Sequence, residues 1–338
     1  RLGLFGAIRQ FATLSKRYLQ VLLKDRFNLF ILFIQAPVIA ILVFFVMGAN
    51  QPRDFVYFAL SLCAIWFGTS VAAREIVRER KIYERERMVN LGILPYLASK
   101  YVVLGTIVAL QCMLLFLPLK FFDLTGLMPM PGVFAGIPQF FAMLLTAAVG
   151  IALGLFVSAI VKTSETATSL IPLILIPQII FSGLIGLPTG INKVVGLAMP
   201  ASWSFDTMKR FSDLDTLEPE GAFKTGKTEG KGLYKSIESE NDRIIAEAKG
   251  NIRNYEKDLE KKLQDAERRA ANGEQVRYTG LPDRPEVGDA VRIPEDLSPY
   301  IAFLHPWMHE LLNPLVLIFM FLVLFLGTVS ILKVQDFV

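Results

Sequence analysis

The chain is poor in the residues that build soluble catalytic centres. Its 338 residues include two cysteines and two histidines. Cys63 and Cys112 both fall inside apolar runs, where a thiol is a small buried hydrophobe, so neither a disulfide framework nor a compartment follows from them. His305 and His309 stand four apart, with Glu310 beside the second, and on one helix face they could hold a metal. Pro306 and Trp307 favour a plainer reading, an interfacial anchor ahead of the last apolar run. A net charge of +4 is too small to argue for nucleic acid. The centres of the apolar runs lack Asp, Glu, Lys and Arg, which disfavours an ion channel, proton pump or ion-coupled carrier. Arg1 opens the chain without Met and no signal-peptide pattern precedes the first apolar run, so a longer protein with an upstream part is expected.

Apolar length is abundant: 53% of residues are hydrophobic, 26 of them Phe. Residues 6–26 place Ile8, Phe11, Leu14, Tyr18 and Leu22 on one helical stripe, with Arg9, Lys16, Arg17, Lys24 and Arg26 off it. That predicts a basic amphipathic helix lying along an anionic membrane surface. Six spans are expected after it: 27–47 with a kink at Pro37, 55–73, about 96–119, about 133–161, about 166–187 and about 311–332. Gly150 and Gly154 form a pair of small residues that lets helices approach closely. Residues 191–211, broken by Pro200, read as two short re-entrant or interfacial pieces. Gln35, Gln111, Gln139 and Gln178 are the deepest polar groups and are expected to bond between helices.

Charge gives the topology. Outside 209–300 there are 18 Lys and Arg; fifteen lie in 1–26, 74–100, 162 and 333, and only Arg53, Lys120 and Lys193 fall on the other face. Both termini are therefore expected in the cytosol, together with the charged run AREIVRERKIYERERMVNL at 73–91, where the chain turns back between spans two and three. The block 209–300 holds 37 of the 66 charged residues and a seam from Ile237 to Ala270 at three- and four-residue steps, predicting an amphipathic helix of about 40 residues. It reads as an extracytoplasmic insertion, either a docking or dimerisation arm or a solvated spacer. Gly221–Thr228, GAFKTGKT, fits the P-loop formula, but no apolar strand precedes it and the topology places it away from cytosolic ATP; it is a chance match.

Three passages carry a family resemblance. Glu79 to Arg87 looks like the cytosolic E-x-x-x-[FY]-x-x-E segment of an ABC-2 permease of the ABCG (white) type. Phe181-Ser182-Gly183-Leu184 is similar to its F-S-G-[FL] near the outer end of span five, and Ser158-Ala159 through Pro172 to its passage between spans four and five. The likeness covers about 1–211 and 301–332. It implies an all-α membrane protein with six spans per protomer. Segments 1–26 would be a connecting helix, 27–211 spans one to five with the re-entrant pieces, 212–300 the insertion, and 301–338 the last span and tail.

The resemblance also implies roles. Arg78, Glu79, Arg80, Tyr83, Arg85, Glu86 and Arg87 would form a coupling helix on a nucleotide-binding domain, with Glu165 beside it. Phe67, Ile179, Leu184 and Ile185 would line a cargo cavity between spans two and five of a homodimer. ATP and Mg would sit on the nucleotide-binding domain, fused upstream or on another chain; no cofactor or metal is expected in this one. The expected function is ATP-driven export of lipid-like cargo across the plasma (inner) membrane by alternating access. The chain departs from the family's pattern in its long insertion and in lacking outer-loop cysteines. The alternative is a scaffold or sensor that binds an extracytoplasmic partner through residues 232–275.

Overall fold

In the computed structural model, residues 3–47, 54–128, 130, 132–182, 191–211, 233–274, 284–285, 288–289 and 311–335 are described. Regular structure among them is entirely helical. The chain forms two compact units, 1–214 with 298–338, and 215–297.

In the first unit, α1 (Leu4–Lys24) and α2 (Arg26–Met47) meet at Asp25, whose carboxylate caps α2 by accepting from Asn28 N at 3.2 Å. The predicted stripe on α1 is buried at Leu14 and Tyr18, but Ile8 is 57% exposed. Helix α3 (Asp54–Ala72) runs almost without a break into α4 (Glu75–Met88): Ala73 N bonds Thr69 O and Arg78 N bonds Arg74 O. The reversal therefore falls at the end of the charged run rather than along it. There Asn90, at φ 72°, closes a Schellman turn through Leu91 N to Glu86 O and Asn90 N to Arg87 O.

Helix α5 (Ile93–Leu124) has 32 residues, about 48 Å, longer than the 96–119 span expected and longer than a ~30 Å hydrocarbon core. The next span begins later than expected. Phe134, Ala135 and Gly136 all have positive φ, which breaks the helix, and α6 (Ile137–Ile160) starts beyond them with Pro138 in its first turn. Helix α7 (Ser164–Ile180) is capped by Thr163 and stops at Phe181. Its 17 residues make about 26 Å, so five helices, not six, reach the length and apolarity of a membrane span among the described residues. Two short helices, α8 (Ile191–Leu197) and α9 (Pro200–Arg210), match the two pieces expected at 191–211.

The core forms around α6, which packs on α3, α5, α9 and the last helix, α11 (Leu312–Gln335). Glycines set the closest approach: a Cβ on Gly68 would overlap Ala147 O, and one on Gly150 would stand 2.7 Å from Ile65 O. No larger residue fits there without moving a backbone. Helices α2 and α11 leave most of their apolar surface uncovered, as helices facing lipid do.

In the second unit, α10 (Leu233–Ala271) is 39 residues long, about 58 Å. Ile245, Ile252 and Leu263 remain 42–46% exposed along it. The P-loop-like octad, His305, His309 and Glu310 lie outside the described residues, as do Leu184 and Ile185.

Candidate functional site

The most densely bonded polar region surrounds α4. Arg74 gives no side-chain cap to this helix, so its first backbone N–H groups must find partners elsewhere. Ser158, near the end of α6, supplies one: its Oγ accepts from Ile76 N and Val77 N, both at 3.0 Å. The exchange is reciprocal. The Ala159 carbonyl, in the last turn of α6, accepts from Arg80 Nη2 at 2.8 Å and from Gln335 Nε2 of α11 at 2.9 Å. The start of α4 and the end of α6 thus cap one another.

The far end of α4 is held by α1. Arg17 forms a bidentate pair with Glu86, Nη1 to Oε1 at 2.5 Å and Nη2 to Oε2 at 3.0 Å, and that hydrogen bond raises the guanidinium pKa further. Gln10 grips the following turn from both sides, donating to Asn90 O at 3.2 Å and accepting from Gly92 N at 3.1 Å. Arg87 donates to Leu91 O across the same turn.

Between these ends lies a buried charge cluster. Lys100 of α5 is 1% exposed, with Nζ 2.5 Å from Glu79 Oε2 and 3.4 Å from Glu75 Oε2. The Tyr18 hydroxyl donates to Glu75, and the Tyr18 ring lies 3.6 Å under the Lys100 ammonium. Burial, followed by the Glu75 charge, pushes the Tyr18 phenol well above its ordinary pKa and keeps it a donor. The Tyr83 and Tyr96 rings, 4.7 Å apart, close the cluster. Burial of an ammonium and two carboxylates is costly unless each is paired, as these are.

Of the candidate coupling residues, Glu79, Arg80, Tyr83 and Glu86 turn inward and bind α4 to the bundle, while Arg87 donates to Leu91 O in the turn that ends α4. Arg78 and Arg85 lie on the exposed face with Lys81 and Glu84, and Glu165 is exposed in the first turn of α7. Sequence reasoning missed Gln10, Tyr18, Glu75, Lys100 and Ser158 as members of this site. Ser158 carried a signal, since it opens the Ser158-Ala159 passage, as did Glu75 in the charged run and Tyr18 on the stripe of α1. In the candidate cargo region, Phe67 is fully buried and Ile179 is half-buried against the same core.

A second polar set fixes α9. Asp206 Oδ2 accepts from Asn313 Nδ2 at 2.8 Å and Arg210 Nε at 3.2 Å, and Ser204 bridges Thr146 and Ser61 at 2.7 and 3.0 Å. Three of the deep glutamines bond between helices: Gln111 to Leu32 O, Gln139 to Met208 O, and Gln178 from Ala201 N.

The bundle is an integral membrane protein whose charged helix is braced on three sides. Over 237 residues the chain is 26% identical to an ABC transporter ATP-binding/permease protein of Mycobacterium tuberculosis, a match covering 62% of this chain and 26% of that protein. The chain thus spans about a quarter of its relative's length. The sequence profile described as ABC-2 type transporter matches residues 9–209, more than half of the chain, and the chain belongs to that family.

Proposed function

We propose that the chain is the permease part of an ATP-driven exporter of lipid-like or amphipathic cargo, working as a homodimer with a nucleotide-binding domain. The observation that carries this reading is the bracing of α4. A helix tied to α1 by Arg17–Glu86, to α5 by Lys100 and to α6 by Ser158 cannot move alone. Its exposed face, Arg78, Lys81, Glu84 and Arg85, is free to meet an ATPase surface. Force applied there enters α3, α5 and α6 together. In this reading α4 and both termini are cytosolic, the protein resides in the plasma membrane, and the chain crosses it six times. Phe67 and Ile179 meet cargo only in a state in which α3 and α7 part, and Leu184 and Ile185 are assigned to the same cavity by the family resemblance.

The test is ATP hydrolysis by the full-length protein in lipid nanodiscs. Stimulation by amphipathic, lipid-like compounds is expected; stimulation by small hydrophilic solutes alone would refute the reading. A scaffold or sensor role has one observation in its favour, the exposed Ile245, Ile252 and Leu263 stripe of α10. Deleting residues 232–275 separates the two: export persists if α10 is an accessory arm.

A further inference from the structure

At the corner where α1 ends and α2 begins lies a concave site of about 680 Å³, lined by Arg17, Gln20, Val21, Leu23, Lys24 and Arg26. Three of these six residues are cationic and none is acidic. Glu86 pairs with Arg17 and offsets one of these charges, while Asp25 caps Asn28 N. The apolar part of the wall is uncovered, with Val21 45% and Leu23 55% exposed. Next in the chain, Phe27 and Phe30 are 75% and 63% exposed at the start of a membrane-spanning helix. A soluble anion would use only the charged half of such a site. A ligand with a phosphate head and acyl tails uses both.

We infer that this corner binds the headgroup of an anionic phospholipid, its phosphate between Arg17, Lys24 and Arg26 and its chains along Phe27 and Phe30. Basic residues beside a membrane helix attract anionic headgroups, and a concave site adds selection for one lipid to that general attraction. Arg17 is shared between this corner and the brace to Glu86, so an occupied site draws on the same guanidinium that holds α4. The inference rests on the membrane-spanning character of α2 and not on the direction of transport or the nature of the cargo.

A tryptophan reporter in the wall tests it. The full chain carrying Val21→Trp is reconstituted in nanodiscs containing brominated phosphatidylglycerol or brominated phosphatidylcholine at equal mole fraction, and the parent protein's own quenching is subtracted. Stronger quenching by phosphatidylglycerol is expected, and Lys24→Gln with Arg26→Gln should reduce that preference by more than about tenfold, since each surface cation contributes about fivefold. Equal quenching by the two lipids, or a preference that survives the double substitution, overturns the assignment. Loss of the preference in millimolar inorganic phosphate would assign the corner to a soluble phosphate instead, and likewise overturn it. Native mass spectrometry of the protein without the tryptophan gives an independent count, with retained phosphatidylglycerol expected to fall in the double variant.

Discussion

Lys100 and Glu79 meet at 2.5 Å, although 21 residues separate them and they belong to different helices. The lysine has no other outlet: it is 1% exposed, with Glu75 and the Tyr18 ring filling its remaining sides. Replacing it by Met would leave two carboxylates facing each other without their cation. Lys100→Met should cost about 3–5 kcal/mol, read as a lowered midpoint in denaturant unfolding. Adding Glu75→Gln and Glu79→Gln should recover much of the loss, because the unpaired charges are then gone. A Lys100→Met protein as stable as its parent would mean that the cluster is solvated.

Tyr18 gives this cluster a pH signature. Its folded pKa is raised above the unfolded value of 10.0, so its contribution is complete below pH 10. As pH rises beyond that, the unfolded chain releases the phenolic proton first and stability falls by about 1.4 kcal/mol per unit. The difference between the parent and Tyr18→Phe should therefore be flat from neutral pH to about 10 and decline above it. Parallel curves throughout would refute the shift.

Arg85 and Arg87 separate contact with a partner from support of the fold. Arg85 is exposed, whereas Arg87 donates to Leu91 O in the turn. Arg85→Glu should change stability by less than about 0.5 kcal/mol, as surface substitutions do, yet weaken stimulation of ATP hydrolysis by cargo. Arg87→Glu should lower both. If Arg85→Glu couples normally, the exposed charges serve only to orient the chain in the membrane.

Two glycines should respond in opposite directions. Gly150→Ala puts a methyl 2.7 Å from Ile65 O and should loosen the contact between α3 and α6, lowering the melting temperature. A methyl on Gly250, inside α10, would meet nothing within 4 Å, so Gly250→Ala should stabilise that helix by about 0.5–1 kcal/mol. Circular dichroism melts of the two variants decide the matter.

Much of the helical layout was legible because it depends on local spacing. The Leu14 and Tyr18 stripe, the break at Pro200 and the long α10 seam are periodic or punctuated patterns. Gly150 and Gly154 were legible for a related reason, since four residues return to the same helix face. Lys100 was not. In sequence it is the last charge before an apolar run, indistinguishable from a lysine reaching toward solvent at a membrane boundary. Its burial comes from α1 and α4 closing over it, which no local pattern records. The end of α7 and the late start of α6 were missed because hydrophobicity continues across both points while the backbone does not. Phe134 and Ala135, at φ 49° and 56°, carry no composition that betrays the break.

The near-continuity of α3 and α4 has a mechanical consequence. With 19 and 14 residues the two arms measure about 28 and 21 Å. The backbone bonds on either side of Ala73–Arg74 leave little slack at the elbow. Such a crank has a ratio of about 1.3. In the proposed coupling role, a displacement imposed at the tip of α4 would be carried to the opposite end of α3 about a third larger, so the stroke would be set mainly by how far the tip is pulled.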